Sequence, residues 1–472
     1  MTSWQATRVL DADVPRNGVV PAKFKAATSG LFTFALGCLV VALLIDLCVY
    51  RIGHPGPPIR SDGFGYYIYL PAIFIHHDIF FTFFNDPAAA AVLHTYYPLP
   101  DWSWTGLSAH GDGFLDKFPA GVAILQSPFF LAAWAIARMS YAGPLSGFES
   151  PFQIAICVAG ACYFAAGVYL LLRTLAARTN GRTAILCVLF ALTTTNVVLY
   201  ASFDASLSRV YSFFLVSALC AIAGSSDRSG ARAFAFGLAL GLAVVVRPTN
   251  LIAALLIVEL TANSTRRQVA KALALVACGG TLGASPQMLT WWLTTGHAIY
   301  YSYGDEGFAF SQPQVINYLF SIRKGVFFWH PAYLLMILSL IAHYRNYRRE
   351  ALVFLAMIAA NFYLGMVWHS WWFGGSFGSR QTIDVLPAMV IAAGSAFALL
   401  QMARPLITVS ARWLAIGLAV VNSLQTYGYI AGKIPFDEST WTTYNRFWNP
   451  YPALVRAITH QSPEDTQKGT QK

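Results

Sequence analysis

Apolar runs close to the length of a membrane helix recur along most of this chain, near 30–50, 152–172, 184–202, 207–224, 272–294, 326–343, 351–367, 382–400 and 411–431. A helix needs roughly 20 apolar residues to cross the hydrocarbon core of a bilayer. Only 11% of the 472 residues are charged, against about 25% in a soluble domain. The mean hydropathy of +0.53 agrees. These features predict an all-α polytopic membrane protein.

The formal charge of +10 does not point to nucleic acid, because Lys and Arg fall mostly in short stretches between the apolar runs. That placement encodes topology. All seven cysteines (Cys38, Cys48, Cys157, Cys162, Cys187, Cys220 and Cys278) lie in apolar segments, so neither a disulfide framework nor a metal-ligand spacing is expected. The polar lead runs to Ser29, and the run from Gly30 to Tyr50 spans without a small-residue cleavage site, unlike a cleaved signal.

Basic residues favour the cytoplasmic side. Lys23 and Lys25 place the N-terminus inside and the 51–118 segment outside. Arg173, Arg178 and Arg182 form the next dense cluster, which a full span at 119–138 would put outside. An interfacial or re-entrant helix there removes the conflict, and the later basic clusters then also fall inside. About eleven spans are expected, with 1–29 cytoplasmic, 30–431 membrane-embedded, 51–150 forming a first outer loop with interfacial helices, and 432–472 a short outer tail. The tail is expected to be partly disordered beyond Gln461.

On this topology Asp62, Asp204, the Gly304–Gln312 loop and the Trp371–Arg380 loop share the outer face. Two carboxylates on one face can converge on one reacting centre. Asp62 precedes a tyrosine-rich stretch with Tyr66 and Tyr67. It can cap a helix or take a proton from a hydroxyl as general base. His76, His77 and Asp78 are read as solvated loop residues, since adjacent histidines on a helix do not share a face. Lys117 either snorkels or meets a lipid phosphate.

Arg247 lies between apolar runs of about 14 residues, roughly 21 Å of helix, which places its turn below the outer surface of a core about 30 Å thick. A charge at that depth normally has a partner: a carboxylate such as Glu259 or Asp46, or an anionic ligand. Trp372, the glycines that follow it and Arg380 combine aromatic, permissive and cationic residues. Asp305 and Glu306 add carboxylates on the same side.

This combination resembles the GT-C superfamily of membrane glycosyltransferases that use polyprenyl-phosphate sugars, closest to the branch of protein O-mannosyltransferases and aminoarabinose transferases. The resemblance spans most of 30–431 and rests on motif order. Asp62 matches an acidic residue just past the first span. Lys117-Phe118-Pro119 matches a basic-proline opening of an interfacial segment. Asp204 matches a second outer-loop acid, and Gly237–Arg247 a glycine-rich helix ending in a basic residue.

The resemblance implies an inverting transferase at the outer face of the cell (inner or plasma) membrane. Asp62 and Asp204 would be catalytic, with Arg247, Lys117 and Arg380 on the donor phosphate and Tyr66, Tyr67, Trp372, Asp305 and Glu306 against substrate. The partners implied are a polyprenyl-phosphate sugar, a glycolipid, polysaccharide or protein acceptor, and the bilayer, without nucleic acid. The acidic pair of some members is here Asp62-Gly63, a single carboxylate and a poor cation site, so no cofactor or metal is expected. A transporter or flippase of lipid-linked sugars is the alternative, sharing the broken helix and intramembrane arginine. No internal repeat supports it.

Overall fold

The computed structural model describes residues 22–52, 56–97 and 105–449. The expectations for residues 1–21 and for the tail beyond Gln461 lie outside them.

The protein is a helical bundle with a small capping unit at one end. After α1 (Ala22–Ile52) the first loop builds α2 (Asp62–Pro71), a π-helical turn (Ala72–His76), α3 (Pro87–Tyr96) and α4 (Gly121–Ser140). Between α3 and α4 lies an antiparallel hairpin, β1 (Leu107–His110) and β2 (Gly113–Asp116), with Leu107 opposite Asp116. The bundle continues through α5 (Ser150–Ala176), α6 (Gly181–Thr194), α7 (Val197–Ala201), α8 (Arg209–Ala223) and α9 (Gly230–Val246). A 3-10 segment (Pro248–Leu256), α10 (Ile257–Leu260) and α11 (Arg266–Thr295) follow. The second half holds α12 (Val315–Phe320), α13 (Val326–Trp329), α14 (Ala332–Leu338), α15 (Leu340–Asn346) and α16 (Arg348–Val367). A 3-10 turn (Arg380–Val385), α17 (Leu386–Gln401), α18 (Pro405–Ile430) and α19 (Trp441–Trp448) complete it.

Among the described residues seven helices are long and apolar enough to cross a membrane: Ser29–Tyr50, Gly121–Ser140, Ser150–Ala176, Arg266–Thr295, Arg348–Val367, Arg380–Gln401 and Pro405–Ile430. Shorter apolar helices lie at Gly181–Thr194, Arg209–Ala223, Gly230–Val246 and Pro248–Leu260.

Length qualifies Gly121–Ser140 as a span, and the chain before and after it leaves and re-enters the bundle at one end. α1 and α5 run antiparallel. Phe32 meets Tyr169 edge-on at 6.1 Å toward one end, and Ile59 N–H donates to Gln153 Oε1 (2.9 Å) at the other. The chain thus leaves α1 and enters α5 at the same end. Within that excursion, Tyr163 OH donates to Leu125 O (2.8 Å) and Phe130 packs on Phe152 (4.9 Å). Later residues of α4 therefore meet earlier ones of α5. α4 starts beside the C-terminal end of α9, where a Cβ on Gly121 would lie 2.3 Å from Val245 O, and its later turns reach the head of α5.

The glycines of α9 serve a close crossing with α11. A Cβ on Gly237 would lie 2.2 Å from Val276 O, and one on Gly241 would lie 2.1 Å from Gly280 O. Small residues four apart let two helix backbones touch in lipid, where packing rather than water exclusion drives association. This crossing fixes where α9 ends, and so where Arg247 is presented. A separate aromatic core of Phe64, Tyr67, Phe84, Tyr97, Phe130 and Phe148 holds the first-loop unit together. The tail packs back as well: Phe436 O accepts from Ser376 N–H (2.8 Å), and Arg323 meets Asp437 (3.1 Å).

Candidate active site

A cavity of about 620 Å³ opens where α2, the start of α4, the ends of α9 and α11, and the loops before α12 and α17 meet. Its apolar side includes Val244, Met288, Trp291 and Leu364, and its polar side includes Asp62, Lys117, Arg209, Arg247, Glu306 and Arg380.

Asp62 is the first residue of α2 and does not cap it; Ser61 precedes it without a side-chain cap bond. The carboxylate turns instead to Arg380, with Oδ2 2.8 Å from Nη2. With 27% of its side chain exposed, it remains reachable from the cavity. Burial alone would raise its pKa, but the Arg380 guanidinium, with Lys117 and Arg209 behind it, holds the carboxyl below the usual carboxylate range.

Arg380 and Asp384 sit four residues apart on the 3-10 turn before α17. Asp384 Oδ2 lies 3.0 Å from Arg209 Nη1 and 3.1 Å from Arg247 Nε, so one carboxylate holds two guanidiniums together. Arg209, at the head of α8, has a side chain only 2% exposed; Arg247, capping α9, is 15% exposed. Arg247 continues to Ser208 Oγ (3.3 Å). Neither expected structural partner of Arg247 is its partner: Glu259 is bound to Arg349 (2.8 Å), and Asp46 has no hydrogen-bond partner among the described residues.

Lys117 reaches Glu306 (2.9 Å) across the cavity mouth, both side chains roughly a third exposed (28% and 35%). Ser302 Oγ donates to Lys117 O (2.7 Å), tying the loop after α11 to the first-loop unit. Among the described residues no group of three or more His, Cys, Asp and Glu side chains gathers in a way that could hold a metal ion.

The structure thus brings Asp62, Tyr66, Lys117, Arg247, Glu306 and Arg380 to one cavity. Four expectations need correction. Asp204 does not converge with Asp62. It lies outside the cavity lining, 2.8 Å from Arg60, whose guanidinium also sits 4.0 Å over the Phe203 ring. Tyr67 faces away from Tyr66, because successive helix residues are about 100° apart, and its hydroxyl is spent on Gly147 O inside the aromatic core. Trp372 carries Arg323 on its ring at 3.9 Å and is outside the lining. Asp305 turns to solvent in a tight turn closed by Glu306 N–H to Tyr303 O (3.1 Å). The glycines of the Trp371–Arg380 loop do meet a backbone demand: Gly374 (φ 62°) and Gly378 (φ 60°) are left-handed.

Arg209 and Asp384 were missed by sequence reasoning. Each begins or immediately precedes an apolar helix, and a charge at such a boundary is itself a signal. Their pairing, 175 residues apart in the chain, leaves no local trace. Tyr303 and Trp368 were also missed; Tyr303 stands edge-on to Trp368 at 6.0 Å beside Phe118.

No family model matches the chain, and no curated protein matches it in sequence. Two solved structures follow a similar course. One is the archaeal oligosaccharyltransferase AglB from Archaeoglobus fulgidus, in complex with an inhibitory peptide and a dolichol-phosphate: TM-score 0.44, 12% identity, covering 92% of this chain and 59% of that one. The other is the Archaeoglobus fulgidus oligosaccharyltransferase in the apo form: TM-score 0.42, 13% identity, with the same coverage. This chain therefore spans 59% of the length of the structures it resembles.

Proposed function

We propose that this protein is an inverting glycosyltransferase that moves a sugar from a polyprenyl-phosphate donor to a hydroxyl acceptor at the outer face of the cell membrane. The observation that carries the proposal is one cavity holding a reachable carboxylate beside a cluster of cations, walled on another side by apolar residues. Lys117, Arg209, Arg247 and Arg380 face Asp62, Glu306 and Asp384, leaving one cation in excess. A phosphodiester-linked sugar brings one negative charge and matches that excess.

In the proposed reaction the acceptor oxygen attacks the anomeric carbon and its proton passes to Asp62. The carbon–oxygen bond to the phosphate breaks, and the lipid phosphate leaves with the electron pair. Arg247 and Arg380 stabilise the charge that develops on it. A phosphate arriving at Arg380 competes with Asp62 for that guanidinium. Donor binding then releases the carboxylate and restores its basicity, so the base is armed only when a donor is present. The acceptor is a glycolipid, polysaccharide or protein hydroxyl. Lipid-linked sugar that crosses vesicles without transfer would favour the flippase alternative.

The reading includes about eleven crossings, with α4 re-entrant and the cavity outside. With the native cysteines removed, cysteines replacing the exposed Asp112 and Asp305 should react with an impermeant thiol reagent from outside. One replacing the exposed Ser226, between α8 and α9, should be protected. The reverse pattern sinks the outer-face assignment.

Arg247→Ala should weaken binding of a polyprenyl-phosphate sugar about tenfold or more, a charge-assisted hydrogen bond contributing about 1.5–3 kcal/mol. Unchanged donor affinity, read by titration of the purified protein, would assign Arg247 a structural role alone. Glu306→Gln should do the opposite. It frees Lys117 and tightens donor binding by up to about fivefold, while stability moves by less than about 1 kcal/mol, as for an exposed pair. Weaker binding in that variant would remove Lys117 from the phosphate site.

A further inference from the structure

A second cavity, about 400 Å³ in volume, lies at the far end of α4 from the active-site candidate, between that helix, the π-helical turn and the 143–145 segment. Gly121 and Ser140 bound a helix of 20 residues, about 30 Å at 1.5 Å per residue. The two cavities are therefore separate.

Three features of its surroundings agree. First, Arg138 lines the cavity with its guanidinium 4.4 Å over the Trp134 ring. No carboxylate pairs with it among the described residues, whereas the cations of the main cavity are engaged with Asp or Glu. Second, His77 follows the π-helical turn in a left-handed conformation (φ 52°) and lines the same cavity. Third, α4 presents an apolar stripe to the outside: Leu131 is 39% exposed, Ile136 56% and Met139 88%, with Ala132 and Ala135 between them and Pro128 one turn before also exposed. The stripe runs along the helix to its last turn, where Arg138 and Tyr141 line the cavity.

An apolar stripe that ends on an unneutralised cation, flanked by Trp and Tyr, fits both halves of one kind of molecule. Trp and Tyr are enriched where headgroups meet acyl chains, and a basic side chain beside apolar surface at that level is drawn to anionic lipid. We propose that this cavity binds the headgroup of an anionic bilayer phospholipid. Its phosphodiester meets the Arg138 guanidinium, and its acyl chains lie along the Leu131–Met139 stripe. Arginine suits this role because its planar fork binds phosphate oxygens while its face stays on an aromatic ring. The site would hold the C-terminal end of α4 at the headgroup level. The proposal stands whether or not Asp62 is a catalytic base.

Native mass spectrometry of the full-length protein released from mixed vesicles of phosphatidylglycerol and phosphatidylcholine tests it. The wild type should retain phosphatidylglycerol in preference to phosphatidylcholine. Arg138→Ala, at an exposed position that should fold normally, should lower that preference about tenfold, while Arg138→Lys keeps most of it. Inorganic phosphate should not compete at millimolar concentration, because it lacks the acyl chains that the stripe covers. Equal retention of the two lipids overturns the proposal, and so does an Arg138→Ala protein that retains phosphatidylglycerol like the wild type. Competition by free phosphate would overturn the lipid as the occupant. Arg247→Ala serves as the control for the other cavity: if it, and not Arg138→Ala, removes the retained lipid, the anion site is the main cavity.

Discussion

Asp62→Asn should insert and fold like the parent and lose sugar transfer by about 10²–10⁴, the usual contribution of a positioned general base. The substitution is nearly isosteric and keeps an oxygen that can accept from Arg380, so the link between α2 and the Arg380 turn survives. What it removes is the capacity to take a proton. Transfer is measured from a polyprenyl-phosphate sugar in proteoliposomes, beside thermal unfolding in detergent. A well-folded variant with full activity ends the base assignment. Arg380→Lys sharpens the result: it keeps a charge near Asp62 but not the planar fork, so kcat should fall more than donor affinity if Arg380 both guards the base and receives the phosphate.

The pH behaviour follows from the same contact. Because Arg380, Lys117 and Arg209 outweigh the burial that would raise it, the Asp62 carboxyl titrates below its ordinary value. A depressed carboxylate stabilises the fold above the unfolded-state value, near pH 4. That contribution is lost as the pH falls through the folded value. The pair should therefore hold across the neutral range and open in acid.

Asp384→Ala should be the most destabilising single change at the site, costing about 3–5 kcal/mol, because it leaves buried charge without a counter-ion. Asp384 is 3% exposed and, among the described residues, the only carboxylate that pairs with both Arg209 and Arg247. Its loss strands two guanidiniums side by side in a low-dielectric wall. Chemical or thermal denaturation of the purified protein measures the effect. Arg209→Met in the Asp384→Ala background should recover part of the stability, since an apolar side chain of similar length removes one of the stranded charges. Wild-type stability in Asp384→Ala would mean that water or lipid already solvates the arginines, and that Asp384 does not organise them.

These two residues divide the problem between chain and fold. The helical character, the membrane-scale apolar runs and the place of Asp62 after the first of them could be read directly, because periodicity and composition are local properties. So could the placing of Arg247 between two short apolar runs, since run length is read from the chain alone. A conflict among arginines far from it marked 119–138 as the segment whose course the fold had to decide. Contacts between elements distant in sequence were not readable. Asp204 and Asp62 share an end of the bundle and still do not meet, because Arg60 takes Asp204 first. Tyr67 and Trp372 had the right residue types and the wrong directions, which packing decides. The partner of Arg247 is a carboxylate 137 residues away.

Sequence by itself determined that this is a helical membrane protein with acidic and basic residues gathered beyond its apolar runs. Tertiary structure alone decided which of them face one cavity and which neutralise each other behind its wall. The physical reason is that an apolar helix is specified by its own residues, whereas a buried charge is tolerable only beside a partner that the rest of the fold delivers.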